Sequence, residues 1–548
     1  MPFTQTDFRL LTGIIRRMES TETASMPNDN RQIARAAGTI FLAMIIGQVL
    51  SLISSMLITR AFGTGASNEA FFAANRLPDI IYNLVAGGAL ASAFIPTFTT
   101  LLTRGDRKTA WRLASAVVNL VTLILTLICL LTAIFAPWVV KTILAPGFSN
   151  ESTILLTASL LRIQLIAPII FGISGLLMGI LNAHQSFLWP ALAPAMYSVG
   201  KIIGVLFLVP RFGPQGLAIG VVLGALMHGL IQLPALLKLP ERKYDLTLGL
   251  SIPEVREVAR LMGPRLIGVS IVQLNFLINT RLASNWEGAV TAISVSFALM
   301  LIPEAAIAQA AAIAALPTFS AQVARGRPEE MRSSLALLLR TVISLALPAS
   351  LGLILLRQPL VALIYQGGKF DAQSTQLVAW ALLFYAAGLV FHSIVEIISR
   401  AFYALHDTLT PVTVGVVAMS LNIGLSFLFT WLFGQAGWMP HGGLALANTL
   451  ATALESVGLL IFMRKRIGGL HLKVIGEGVG KAGLATLVMS LAVALWLSLT
   501  HGVANWVVAL AGLVVGVVVY LLVMILLKAP ELQILNTLLR RLKPSTRK

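Results

Sequence analysis

The sequence predicts an all-α polytopic membrane protein, with two six-helix lobes followed by two further helices, 14 in total. Three observations carry that reading. About fourteen apolar stretches are long enough to cross a bilayer, which takes roughly 20 residues at about 1.5 Å of rise each. The chain is 57% hydrophobic and only 11% charged, whereas soluble domains are about a quarter charged. Lys and Arg also crowd into alternate gaps between the stretches. Only helices and closed barrels satisfy their backbone groups in hydrocarbon, and runs this long and uniformly apolar are not barrel strands.

The elements follow in order. Residues 1–36 read as a cytoplasmic tail, with an amphipathic piece at 8–17 that is too short and too charged for a secretion signal. The first lobe, 37–237, holds spans at 37–59, 78–102, 113–136, 154–181, 187–209 and 216–237. A polar cytoplasmic linker, 238–257, leads to the second lobe, 258–463. Its spans are 258–283, 288–317, 334–356, 375–404, 409–432 and 442–463. A cytoplasmic loop at 464–477 precedes spans 478–499 and 504–528, and residues 529–548 form a basic cytoplasmic tail.

The basic residues test the count. Formal net charge is +18. One side collects Arg31 and Arg35, then Arg104, Arg107, Lys108 and Arg112, then Lys238, Arg242, Lys243, Arg256 and Arg260. Further along it collects Arg325, Arg327, Arg332, Arg464, Lys465, Arg466 and Lys473. The other side receives Arg60, Arg76, Lys141, Arg211, Arg281, Arg357 and Lys369. An even number of spans with both termini in the cytoplasm reproduces that asymmetry. Basic residues at span ends point to anionic membrane lipids as partners rather than to nucleic acid.

Several chemistries are excluded. The single cysteine, Cys129, allows no intrachain disulfide. No Walker A motif, nucleophile elbow or HExxH pair occurs, and no soluble domain fits. The reading is a membrane transporter, not an enzyme, with no cofactor and no metal. Coupling to membrane potential or a monovalent ion remains open.

Charged groups inside spans are costly unless they face a cavity or find partners. Arg162, Lys201, Arg265, Glu304, Glu396 and Glu455 are such groups. His392, Glu396 and Arg400 recur every four residues and share a helix face. Gln273, Asn275 and Asn279 add amides to the seventh span, where they line a path or bind helix to helix. His228 and His392 read as packed, hydrogen-bonded histidines. Pro78, Pro96, Pro303 and Pro317 are positions where helices can bend.

Each lobe holds a similar corner: "GILNAHQSFLWPALAP" at 179–194 and "RAFYALHDTLTP" at 400–411. Both join long helices through a polar turn, with a proline as the next helix begins. Repeated halves are common in alternating-access carriers, whose substrate site lies between them.

Five ordered segments resemble the MurJ/MviN family of bacterial lipid II flippases, within the multidrug/oligosaccharidyl-lipid/polysaccharide exporter superfamily. They are "ITRAFGTGASNEAFFAANRLPD" at 58–79, "GGALASAFIPTF" at 87–98, "LNAHQSFLWPALAP" at 181–194, "MGPRLIGVSIVQLNFLINT" at 262–280 and "RAFYALHDTLTPV" at 400–412. The motif positions are Arg60, Phe62, Gly63, Phe71, Phe72, Pro78, Pro96, Asn182, Asp407 and Pro411, with Glu69 standing where the family usually carries an aspartate. The resemblance implies MATE-like lobes around a hydrophilic cavity, in a multi-pass protein of the bacterial inner (cytoplasmic) membrane. It also implies a polyprenyl-diphosphate-linked glycan as cargo and the cell-wall synthesis machinery as a partner. A diphosphate calls for basic groups. Arg76, Lys201 and Arg265 are the candidates, with Asn83, Arg162, Gln273, Asn275, Glu304, Glu396 and Arg400 as further cavity candidates.

The chain departs from the family's usual arginines. Gly47, Gln48, Ser54 and Ser55 stand in the first span, Tyr82, Asn83 and Gly87 in the second, and Phe297 and Ala298 in the eighth. Three alternatives stay open beside lipid II flipping. They are another polyprenyl-linked glycan, ion-coupled small-molecule antiport, and a non-transporting scaffold for envelope assembly.

Overall fold

A computed structural model describes the backbone of residues 28–85, 89–240 and 242–530. It describes side chains from Ala43 onward, except at 85–92, 241, 264, 265, 267 and 268. The expected amphipathic piece at 8–17, Gly87 and the basic tail beyond 530 therefore lie outside the described residues.

The longer helices are α1 (Asn28–Phe62), α2 (Ala66–Val85), α3 (Ala89–Thr103), α4 (Arg107–Ile134), α5 (Glu151–Gln164) and α6 (Ile166–Ala183). Then come α7 (Leu188–Ile203), α8 (Pro214–Leu230), α9 (Pro253–Ala283), α10 (Ala289–Glu304), α11 (Ala310–Ala324) and α12 (Pro328–Leu355). The last are α13 (Arg357–Tyr365), α14 (Ala372–Ala404), α15 (Leu409–Gln435), α16 (His441–Arg466), α17 (Leu472–Leu499) and α18 (Asn505–Leu526). Among the described residues the β pairing is confined to one isolated bridge, Gly367 with Phe370.

Twelve helical segments are long and apolar enough to cross a membrane. The other two expected spans, 78–102 and 258–283, are helical too, in α2–α3 and in α9, but do not join those twelve. Among the described residues, length and composition thus support twelve of the fourteen expected crossings, and both remaining stretches include positions outside the described residues. Glu69, Arg76 and Asp79 make α2 the more polar of the pair's pieces. Pro78 sits inside α2 and Pro96 inside α3, and each helix runs on through its proline.

The chain gathers into two compact units, each assembled from separate stretches of sequence. The first holds described residues up to Ser54, then Val85–Cys129 and Ile166–Gly263. The second holds Ser55–Leu84, Leu130–Leu165 and everything from Pro264 onward.

Within the first unit, α7 and α8 approach backbone to backbone. A Cβ on Gly200 would collide with Gly224, and one on Gly220 would stand 2.6 Å from the Gly204 Cα. Spacing small residues four apart is how helices pack closely without a hydrophobic drive from water. The 238–257 linker is not a free loop. Its extended stretch lies on α4, where Asn119 Nδ2 donates to the carbonyls of Asp245 (3.1 Å) and Thr247 (2.9 Å). The Asp245 N–H donates to Ser115 Oγ at 3.1 Å, and α9 already begins at Pro253.

The two corners, one in each unit, have matching backbones. Gln185 (φ 57°) and His406 (φ 59°) are left-handed. The Gln185 N–H bonds to the Asn182 carbonyl as that of His406 bonds to Tyr403, both at 3.0 Å. The Ser186 N–H bonds to Leu181 (2.9 Å) as that of Asp407 bonds to Phe402 (3.0 Å). The histidines of the two motifs are thus not equivalent, because His406 matches Gln185.

Candidate functional site

The second unit carries a buried polar cluster built on a helix irregularity. Pro303 ends the regular part of α10, and residues Ala305–Gln309 wind as a π-helical turn before α11. Proline has no N–H and crowds the carbonyl four residues earlier, so the ladder adjusts around it. A π turn brings residues five apart together, and Gln309 hydrogen-bonds the Glu304 carboxyl. Glu304 is 4% exposed, and its Oε2 is buried without a hydrogen-bond partner. On the neighbouring α14, Arg400 Nη2 donates to Glu396 Oε1 at 2.7 Å, and both act electrostatically on Glu304. The Arg400 guanidinium also lies 5.7 Å from the Tyr403 ring centroid.

A second group runs along α2, α9, α10, α14 and α16. Arg76 Nε donates to Thr280 Oγ1 at 3.0 Å, and its guanidinium sits 5.3 Å from the Phe276 ring. Phe276 packs edge-on against Phe297, which in turn meets Tyr385 and His392. Phe297, one of the positions where the sequence departs from the family it resembles, is thus packed among aromatic rings. His392 Nε2 lies 3.2 Å from Asn448 Oδ1, a packed and hydrogen-bonded histidine.

Asn275 belongs to an amide cluster. Its Oδ1 accepts from Asn422 Nδ2 (3.2 Å) and Asn279 Nδ2 (3.3 Å). Ser426 Oγ reaches Asn279 Oδ1 (3.1 Å) and Asn422 Oδ1 (3.2 Å). All four residues are buried. Asn422 and Ser426 escaped the sequence reading, although their four-residue spacing in an apolar helix was the available signal. Gln273 is buried in the same helix, α9. Arg265 also lies on α9, and its side chain is outside the described residues.

Other candidates have local duties. Asn83 Nδ2 donates to the Asp79 carbonyl at 2.9 Å. Arg162 is exposed, and its Nε donates to the Ala133 carbonyl at 3.0 Å. In the first unit, Lys201 lies 4.5 Å from the Tyr197 ring centroid. There too, Ser174 Oγ lies 2.6 Å from His228 Nδ1 and accepts from Gln232 Nε2 at 2.8 Å.

The motif residues mostly shape the backbone. Gly63 (φ 65°) lies where a Cβ would collide with the Lys369 carbonyl. Arg60 Nη2 donates to the Ile364 carbonyl at 3.0 Å. Phe62 is buried, and Phe71 and Phe72 meet edge to face. Glu69 Oε1 accepts from the Val290 N–H at 3.2 Å, at the start of α10. Burial pushes the Glu69 carboxyl up to about 7, against hydrogen bonds from Gly288 and Val290. Asp407 accepts from Thr410 N (3.0 Å) and Thr410 Oγ1 (2.8 Å), opening α15 just before Pro411. The Thr410 N–H holds the Asp407 carboxyl below the usual carboxylate range. Asn182 accepts at its backbone carbonyl in the first corner. Among the described residues, no group of His, Cys, Asp and Glu is placed to hold a metal.

Known proteins resemble the chain over most of its length. The family described as "Lipid II flippase MurJ" matches residues 58–515. The lipid II flippase MurJ of Burkholderia cenocepacia is 30% identical over 438 residues, 79% of this chain and 84% of that one. The probable lipid II flippase MurJ of Vibrio cholerae is 30% identical over 524 residues, 90% and 95% of the two chains. A solved lipid II flippase MurJ in an inward closed conformation matches at a TM-score of 0.76 and 23% identity, over 89% of this chain and 98% of that one. An inward-facing multidrug MATE transporter matches at 0.64 and 15% identity, over 78% and 98%, and shows the shared fold. With the family match covering most of the sequence and relatives aligned nearly end to end, the chain belongs to the lipid II flippase MurJ family.

Proposed function

We infer that the chain moves lipid II, the undecaprenyl-diphosphate-linked peptidoglycan precursor, from the inner to the outer leaflet of the bacterial cytoplasmic membrane by alternating access. The observation that carries this reading is the family match along residues 58–515. The chemistry is consistent with it. A diphosphate and sugars cannot cross hydrocarbon cheaply, while a polyprenyl tail stays in lipid. Arg76 and Arg400 supply guanidinium groups for the diphosphate, each already oriented by a hydrogen bond and an aromatic ring. Glu304, buried with a free carboxyl oxygen beside the Glu396–Arg400 pair, is the group we assign to coupling with a monovalent cation or proton. Both termini face the cytoplasm, where basic loops meet anionic lipids and the cell-wall synthesis machinery hands over the cargo.

The test is headgroup translocation in proteoliposomes. Labelled lipid II in the inner leaflet is probed from outside, beside the same polyprenyl carrier bearing a different glycan. Movement of lipid II above empty liposomes is the expected result. Movement of the other glycan alone would replace lipid II as cargo, and movement of neither under an imposed potential would end the flippase reading.

A further inference from the structure

We propose that Arg60 and Arg281 form a two-fold-related latch that closes the outer side of the transport path, each arginine clamping a helix end in the opposite half of the sequence. Arg60 follows Thr59 at the end of α1, and Arg281 follows Thr280 at the end of α9, 221 positions later. Their acceptors keep the same offset. Arg60 Nη2 donates to the carbonyl of Ile364, and Arg281 Nη1 donates to the carbonyls of Thr142 and Ile143 (3.5 Å for Ile143). Ile364 lies 221 positions after Ile143. The contact is exchanged: the early arginine serves the late helix, and the late arginine serves the early helix. All of these residues belong to the second compact unit.

Each acceptor is suited to a cation. Ile364 lies in the last turn of α13, and Thr142 and Ile143 lie in the π-helical segment Val140–Leu144. Carbonyls in a helix's last turn have no intrahelical donor and carry the negative end of the helix dipole. A guanidinium there makes charge-assisted hydrogen bonds that are short and directional. In α13 and in the Val140–Leu144 segment alike, the helix ends just short of a glycine loop.

Those loops close against the arginines' own helix ends. The Lys369 N–H donates to the Arg60 carbonyl at 2.8 Å, and the Gly147 N–H donates to Ser284 Oγ at 3.0 Å. Gly147 and Gly368 again stand 221 apart. A Cβ on Gly368 would collide with the Arg60 carbonyl, and one on Gly147 would lie 2.6 Å from the Ser284 carbonyl. Backbone meets backbone on both sides of the latch, which only glycine permits. Beside it, Thr64 Oγ1 and Ser374 Oγ lie 2.9 Å apart, tying the same two stretches.

The side follows from charge. Arg60, Lys141, Arg281 and Lys369 fall in the gaps that receive few basic residues, which the positive-inside rule assigns to the outside. A headgroup leaving outward must part residues 58–69 and 140–153 from residues 281–290 and 364–374. Releasing both arginines leaves their helix-end carbonyls to water, a modest cost that sets the closed state below the open one without making it permanent. Two half-latches, each worth little, also let the gate open without first breaking a single strong bond.

The proposal rests on the alternating-access reading, so its first test needs no cargo. Cys129 is the chain's single cysteine. In a Cys129→Ala background, Thr64→Cys is labelled by a membrane-impermeant maleimide added from outside. Removing both latches with Arg60→Ala and Arg281→Ala raises the labelling rate by roughly tenfold or more, with each single change intermediate. An unchanged rate, or access only from the cytoplasmic side, overturns the proposal. The second test is a disulfide between Thr64→Cys and Ser374→Cys. Oxidation stops lipid II headgroup translocation and a thiol reductant restores it, which also shows that the variant is folded. Full-rate translocation by completely cross-linked protein overturns the gate. If no state moves lipid II, the labelling result still decides the latch on its own.

Discussion

Glu69 accepts a hydrogen bond from the Val290 backbone N–H at 3.2 Å, and the two positions lie 221 residues apart. That is the offset relating Arg60 to Arg281, so the bond joins equivalent positions of the two halves. Glu69 lies in the first turn of α2 and Val290 in the first turn of α10. A carboxylate at a helix start satisfies N–H groups that have no intrahelical acceptor.

The Glu69 carboxyl supplies a pH prediction. Its pKa is raised from 4.5 to about 7, chiefly by burial. The folded protein therefore binds more protons than the unfolded chain between those values, and stability declines as pH rises through that window. Thermal melting in detergent is expected to drop from pH 4.5 to 7, by an effect of up to about 3 kcal/mol. Glu69→Gln should flatten the dependence, and an unchanged profile in that variant would assign it to another group.

Close helix packing in the first unit predicts an asymmetry between glycines. Gly220→Leu forces α7 and α8 apart at Gly204 and should cost about 3 kcal/mol or more, read as lost monodisperse protein after extraction. Gly424 lies in α15 with open space around its Cα. Gly424→Ala should be neutral or stabilising by about 0.5–1 kcal/mol, since alanine favours the helix.

Asn119 holds the linker by two carbonyls, at Asp245 and Thr247. Asn119→Leu removes both bonds and the contact to Tyr244. Trypsin should then cut at Arg242 or Lys243 at least several-fold faster, while the helical content stays constant. Equal cleavage rates would mean that the linker is held by something else.

The Glu396–Arg400 pair is half-buried, with side chains 23% and 30% exposed. Losing one partner of such a pair costs more than losing both. Glu396→Gln alone and Arg400→Ala alone should each destabilise more than expected from the double variant. A coupling of about 1–3 kcal/mol is expected in the double-mutant cycle. Additive effects would show that the two residues do not act as a unit.

Helices and corners were readable because apolar runs and turn residues are local signals. The corner at 400–411 and its partner at 179–194 were visible as a repeat, but their register was not. The left-handed residues Gln185 and His406 set that register, placing His406 opposite Gln185 and not opposite His184. The candidate site was legible residue by residue and illegible as an assembly. Glu304, Glu396 and Arg400 stand out as charges in apolar runs, whereas the π turn that joins Glu304 to Gln309 leaves no mark in periodicity. Asn422 and Ser426 gain meaning only beside Asn275 and Asn279, across a separation of 147 residues. Arg60 and Arg281 each bond a residue in the other half of the sequence, a pairing that no local pattern announces.

The amide cluster has an electrical consequence. Asn275, Asn279, Asn422 and Ser426 tie α9 to α15 with neutral groups only. A dipole-only joint carries no net charge through the membrane field, whereas one elementary charge crossing it is worth about 2.3 kcal/mol per 100 mV. The cluster's own side chains therefore add no electrical work to motion at this joint. A voltage response in this chain has to be carried by its ionised side chains, such as Arg281 at the end of α9, and not by the amides that join α9 to α15.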